Sequence, residues 1–243
     1  MKRLVIKVGS HILTKDNILS QERVEDITKF IYQLRESGYE VILITSGAVA
    51  VGYSKIELDM SNLENRQALS AIGQPYLMNI YQQEFSKYNI ITSQFLLTET
   101  NFDLRSNTRY AKRVIDTLLS KGVLPIINEN DTTATKELVF GDNDSLSANV
   151  THYFDCDMLV ILSNYSGYYK NNLLIKDISN IEYSEIENSL VSFGGLSTKL
   201  ESAKFLLERG RAMFLSNGYD LSDVREFLLD DNHQGGTLFS KNI

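Results

Sequence analysis

One cysteine, two prolines and no long apolar run are what this 243-residue sequence has least of. The single Cys156 excludes an intramolecular disulfide framework and suits a reducing cytosol. With 2 Pro, 14 Gly and 10% aromatic residues, the composition is not that of a collagen-like, low-complexity or disordered chain. The longest weakly polar stretch, 41–52, falls short of the roughly 20 residues a spanning helix needs, and it holds Thr45, Ser46 and two glycines. No transmembrane segment is therefore expected. Lys7 interrupts the first apolar run after three residues, too early for a signal-peptide core. Together these absences place the chain in the cytoplasm.

Charge of one sign is scarce too: 24 Lys+Arg stand against 31 Asp+Glu, a net charge of −7. Diffuse electrostatic binding to nucleic acid or to an anionic membrane is thereby excluded, and any anionic ligand has to be attracted by a few placed residues. At about 150 residues per domain the length fits one large α/β domain or two small ones.

What is present is a regular alternation. Leu4-Val5-Ile6, Val41 to Ile44, Ile90 to Leu97, Val123 to Ile127, Met158 to Leu162 and Ala212 to Leu215 read as short buried strands. Between them, helical spacing runs through Val24 to Leu34 with Gly38 as a C-terminal cap, over 62–72, from Pro75 to about Tyr88, over 109–119 and over 197–208. Continuous apolar strands alternating with amphipathic helices indicate a three-layer α/β/α sandwich around a mostly parallel sheet. The polar stretch 173–192 is the soft point at which an N-terminal part and a C-terminal lobe would divide.

Ligands of parallel α/β sheets bind beyond the carboxyl ends of the strands, so polar segments that follow strands carry most weight. Five stand out: Lys7-Val8-Gly9-Ser10, Thr45-Ser46-Gly47-Ala48, Asn128-Glu129-Asn130-Asp131, Gly141-Asp142-Asn143-Asp144 and Gly194-Gly195-Leu196-Ser197-Thr198-Lys199. Taken singly, each has a plain reading beside the functional one. Lys7 either snorkels to the surface or holds a fixed cation over a phosphate. Ser46-Gly47-Ala48 is a tight turn or a backbone cradle for an anion. The run from Gly194 to Lys199 is a capped helix start or a phosphate site in which glycines admit the ligand, N–H groups face it and Lys199 adds a charge. Asp131, Asp142 and Asp144 are solvated turn residues or ligand contacts.

Several chemistries are missing. No G-x-x-x-x-G-K-[ST] or G-x-G-x-x-G occurs, which excludes an ordinary P-loop enzyme and weakens a dinucleotide one. No H-E-x-x-H metal motif and no G-x-S-x-G nucleophile elbow is found. His152 and Cys156, four apart on an expected helix and so on one face, lack the further soft ligands a structural zinc would need.

The five segments, in this order, resemble the amino acid kinase family, a likeness that runs from Lys2 to about Phe239. The pairing of Asn128-Glu129-Asn130-Asp131 with Gly141-Asp142-Asn143-Asp144 resembles its glutamate-phosphorylating members most. The resemblance implies one kinase domain on an eight-stranded, mainly parallel sheet, transferring the γ-phosphoryl group of ATP to the γ-carboxylate of L-glutamate at the start of proline biosynthesis. It implies that Lys7 and Lys199 are the phosphate and transition-state cations, with Asp144 holding them. Ser46, Gly47, Ala48, Asn128, Asp131, Asp142 and Asn143 would bind glutamate. Gly9, Ser10, Ser163, Asn164 and the run Phe193, Gly194, Gly195, Leu196, Ser197, Thr198 would line the ATP site with the lysines.

Mg²⁺ would accompany the nucleotide, proline would act as feedback inhibitor, and the chain would form a dimer or tetramer. Ser163-Asn164 stands where relatives carry Thr-Asp, and the sequence stops where many continue into a PUA domain, so the kinase domain alone is expected.

Such a reaction needs no His or Cys base, because the γ-carboxylate is already ionised near neutral pH. It needs cations that relieve repulsion between a carboxylate and a triphosphate. The α-ammonium would be met by Asp131 and the α-carboxylate by the side-chain amides of Asn128 or Asn143. Lys199 is expected to be exposed in the site. The rival readings are a kinase for N-acetylglutamate, aspartate, carbamate or UMP, and a catalytically silent ligand-binding relative. Asp131 speaks against the acetylated amine and the nucleotide, neither of which would place an acidic residue there.

Overall fold

The computed structural model describes residues 2–15, 18–134, 143–182, 184–186 and 195–241. In chain order the elements are β1 (Arg3–Val8), α1 (Ser10–Leu13), a small hairpin of β2 (Thr14–Lys15) and β3 (Ile18–Leu19), α2 (Gln21–Glu36) and β4 (Glu40–Ile44). Next come α3 (Ala48–Tyr53), α4 (Leu63–Ser86), β5 (Thr92–Leu97), a 3-10 turn at Glu99–Phe102, α5 (Arg105–Ser120) and β6 (Leu124–Glu129). Beyond these lie α6 (Asp144–Tyr153), β7 (Met158–Ser163), a hairpin of β8 (Tyr168–Lys170) and β9 (Leu173–Ile175), and β10 (Asp177–Ile178). The last elements are α7 (Leu196–Glu208), β11 (Ala212–Asn217), α8 (Ser222–Leu229) and β12 (Thr237–Phe239).

Eight strands form one sheet in the order β10-β12-β11-β7-β1-β4-β6-β5. The run from β11 to β5 is parallel throughout, and β12 pairs antiparallel with β11. A parallel sheet has both faces covered, and alternation along β1 shows how. Leu4, Ile6 and Val8 point into one core with α2, α4 and α8, whereas Val5 points into the other with α5, α6 and α7. Lys7 shares the Val5 face. The α/β/α sandwich read from the sequence is the architecture found.

Helix α4 departs from the two helices expected around Pro75. It is continuous, with Pro75 inside it. Proline removes one hydrogen bond at a cost of about 3 kcal/mol. Against this, Leu69, Ser70, Gly73 and Gln74 before it and Leu77, Met78, Tyr81 and Phe85 after it are all buried. Unbroken burial of one face outweighs the local preference.

Two further segments can be placed. The polar stretch 173–192 contributes β9 and β10, and β10 pairs with β12 at the edge of the central sheet. His152 and Cys156 do not share a helix, because α6 ends at Tyr153 and Asp155 turns left-handed at φ 55°. Among the described residues no group of three His, Cys, Asp or Glu side chains could hold a metal, and no helix is long and apolar enough to cross a membrane.

Candidate active site

Strand register brings the polar segments together. Lys7 on β1 lies level with Ile44 of β4 on one side and Ile161 of β7 on the other. Ile44 in turn pairs with Ile127 of β6. The residues at or just past the strand ends, Gly9, Thr45-Ser46-Gly47, Asn128 and Ser163, therefore emerge along one edge.

Lys7 does not snorkel. It is 1% exposed, and its Nζ lies 2.9 Å from Asp144 Oδ1. Asp144, fully buried in the first turn of α6, sits where the helix dipole favours an anion. Lys199 reaches the other oxygen, Oδ2, at 2.9 Å from the first turns of α7, and donates to the Gly195 carbonyl oxygen at 3.0 Å. Thr198 Oγ1 also donates to Asp144 Oδ2, at 2.9 Å. Lys199 is 4% exposed, so the expected exposed lysine is in fact buried in an ion-pair cluster. Such clusters add little net stability, since desolvation offsets the Coulomb gain. Function is the better account of two lysines on one aspartate.

Glycine conformations open the site around this cluster. Gly195 starts α7 at φ 88° and Gly47 starts α3 at φ 101°, left-handed values that side chains rarely adopt. A Cβ on Gly9 would lie 3.7 Å from Lys7 Nζ, so glycine keeps the approach to that ammonium clear.

Next to Gly9, a cavity of about 240 Å³ is lined by Ser10, His11, Thr14, Ser46, Gly47, Ala48, Val49, Ala50, Met60, Arg66, Asn128, Asp131 and Asn143. Drug-sized ligands occupy about 300–1,000 Å³, so this one suits a small molecule. Its polar wall is a chain of amides. Asn143 Nδ2 donates to the Thr45 carbonyl oxygen (2.8 Å), Asn128 Oδ1 (2.9 Å) and Ser46 Oγ (3.2 Å). Asn128 Oδ1 also accepts from the Glu129 N–H at 2.9 Å, and Asn128 Nδ2 donates to Gln74 Oε1 at 2.8 Å. The Thr45 carbonyl and the Glu129 N–H fix the sense of both asparagine amides. Asn143 Nδ2 is thus turned away from a ligand, and its Oδ1, with no hydrogen bond among the described residues, is the end left to meet one. That reverses the donor role expected of Asn143. Asp131, at the same wall, accepts from Ser70 Oγ at 2.5 Å.

On the other side of β1, Ser163 ends β7 with its Oγ accepting from the Tyr165 N–H at 3.0 Å, and Asn164 is exposed beside it. Ser163, Asn164 and Leu196 to Lys199 do not line the cavity, whereas Ser10, expected on the ATP side, does. Gly141, Asp142, Phe193 and Gly194 lie outside the described residues. Arg66, Ser70, Gln74 and Tyr81, all on α4, were not singled out from the sequence. Tyr81 OH lies 2.8 Å from Thr45 Oγ1. Their only sequence signal was the i, i+4, i+11 spacing of Ser70, Gln74 and Tyr81.

The chain is similar to known proteins over nearly all of its length. The model of the amino acid kinase family matches residues 2–217. A glutamate 5-kinase of Wolinella succinogenes is 48% identical, the alignment covering 98% of each chain. One of Leishmania donovani is 45% identical over all of this chain and 97% of its own length. A carbamate kinase structure from Giardia superposes with a TM-score of 0.69, covering 99% of both chains at 14% identity, which establishes the shared fold. The chain belongs to the amino acid kinase family.

Proposed function

We propose that this chain is a glutamate 5-kinase, transferring the γ-phosphoryl group of ATP to the γ-carboxylate of L-glutamate. The observation that carries the substrate choice is the wall of the 240 Å³ cavity, where Asp131 and Asn143 Oδ1 offer acceptors to a free α-ammonium. Arg66, Ser46 and the backbone of Gly47 and Ala48 are the donors nearby for the α-carboxylate. The remaining carboxylate then points past Gly9 to Lys7. A substrate whose amine is acetylated brings no ammonium to Asp131, and a site built to bind that group discriminates against an analogue that lacks it. Near-complete likeness to glutamate 5-kinases, at 45–48% identity, supports the same reading.

The division of labour follows. Asp144 holds Lys7 and Lys199 in register, one carboxylate oxygen each. The two ammonium groups offset repulsion between carboxylate and triphosphate, then stabilise charge on the transferring phosphoryl group. No base is needed, because the nucleophile is already ionised. The nucleotide lies on the β7 and α7 side, past Ser163 and Asn164 and against the Gly195–Lys199 turn. Mg²⁺ would accompany ATP and would supply charge neutralisation beside Lys7 and Lys199. We read the chain as a single kinase domain of the cytoplasm acting as a dimer or tetramer. Proline, with an α-carboxylate and a secondary ammonium, fits the same recognition groups and is the expected inhibitor.

Trapping of the acyl phosphate as a hydroxamate, together with ADP release, tests this. Glutamate with Mg-ATP gives both. A clear preference for aspartate, carbamate or UMP contradicts the assignment, and glutamate binding without turnover makes the chain a silent relative.

A further inference from the structure

The cavity wall is held from behind by one face of α4. Ser70 and Gln74 are one turn apart, both buried, and neither lines the cavity. Ser70 donates to Asp131 at 2.5 Å. Gln74, 6% exposed, accepts from Asn128 Nδ2 at 2.8 Å. Asn128 in turn accepts from Asn143. Each of the two acceptors presented to a ligand amine thus has an α4 side chain at the far end of a short hydrogen-bonded path.

The direction of the second path gives Gln74 a definite task. Asn128 Oδ1 is committed to the Glu129 N–H and to Asn143, so its Nδ2 must find an acceptor inside the protein or remain buried and unpaired. Gln74 Oε1 is that acceptor, and its own Nε2 has no partner among the described residues. An amide leaving its own donor unsatisfied to accept one bond is a poor stabilising device, because an unmet buried donor costs about 1–3 kcal/mol. It does keep Asn128 from rotating, and with it the orientation in which Asn143 turns Oδ1 to the cavity.

We infer that Ser70 and Gln74 are positioning residues for the amino group of the substrate, Ser70 acting through Asp131 and Gln74 through Asn128 and Asn143. The inference rests on the reading of this cavity as the glutamate site. Steady-state kinetics with glutamate and ATP varied separately test it, on Ser70→Ala, Gln74→Met and Gln74→Glu. Loss of one such hydrogen bond is expected to raise the KM for glutamate about three- to tenfold in Ser70→Ala and in Gln74→Met, with kcat and the KM for ATP within about twofold of the parent. Gln74→Glu, charged or protonated, still offers an oxygen to Asn128 Nδ2 and is expected to keep the KM for glutamate within about twofold. Folded variants whose two KM values move together, or whose KM for glutamate stays put, overturn the positioning role. Ser70→Ala removes a single hydroxyl and carries the test should Gln74→Met not fold. A parent protein without glutamate-dependent turnover overturns the reading of the cavity itself, and the positioning role with it.

Discussion

Lys199 shows how much a single burial value alters an expectation. Read as an exposed site lysine, it could be deleted at little cost to stability. Placed 2.9 Å from a fully buried Asp144, it cannot. Lys199→Ala should lower kcat by about 10²-fold or more, as loss of one charge contact to a transition state does. It should also cost about 3 kcal/mol, because a buried carboxylate loses one of its cations. A denaturant midpoint measured beside the rate separates the two effects. Cys156 makes the opposite point. Burial pushes its thiol up to about 12, and nothing around it belongs to the site. An unfolded cysteine ionises near 8.5 and the native one does not, so this group takes stability away as pH rises through the unfolded value towards 12. At pH 8 its alkylation by iodoacetamide should be far slower in the native protein than in denaturant. Equal rates would show the thiol to be accessible.

At the scale of elements, the strands that position the site were legible, whereas α4 was read as two helices. β1, β4, β6 and β7 are unmistakable because a strand buried on both faces has to be apolar throughout. The polar residues at their ends are equally visible, because they interrupt the apolar runs. Helix α4 was hidden by Pro75, which suggests a break to any local reading, while the reason the helix continues lies in its packing against α3, α2 and the sheet. With the break went Ser70 and Gln74 as site supports. The same helix fixes α3. A Cβ on Gly73 would collide with the Ala48 carbonyl oxygen and lie 2.5 Å from Gly52 N, so the two backbones touch. Gly73→Ala should therefore destabilise the protein by about 1–3 kcal/mol, typical of overpacking, and raise the KM for glutamate as α3 carries Gly47 and Ala48 away. A variant with unchanged urea midpoint and KM would mean that α3 and α4 are not packed this closely. Tyr81→Phe, which removes only the hydroxyl partner of Thr45, should cost about 1 kcal/mol.

At the scale of the molecule, the strand order places β1 between the β4–β6 pair and the β7–β11 pair. Lys7 is thereby set between the β4–β6 side, proposed for glutamate, and the β7–β11 side, proposed for the nucleotide, and Lys199 reaches Asp144 from α7. Strand order was beyond local reading, as were β8, β9, β10 and β12, which are too short to carry an apolar period. The net charge of −7 looked at first only like a bar to nucleic acid. Two anionic substrates on an acidic protein make it a reason for concentrating cations at one strand edge. The central claim is that this edge selects a free α-amine next to a carboxylate that is phosphorylated. The ratio of kcat/KM for L-glutamate to that for N-acetyl-L-glutamate, measured by hydroxamate trapping under saturating Mg-ATP, tests it most directly. Asp131 and Asn143 predict a ratio of about 10⁴ in favour of glutamate, and a ratio near one, or a preference for the acetylated acid, would contradict it.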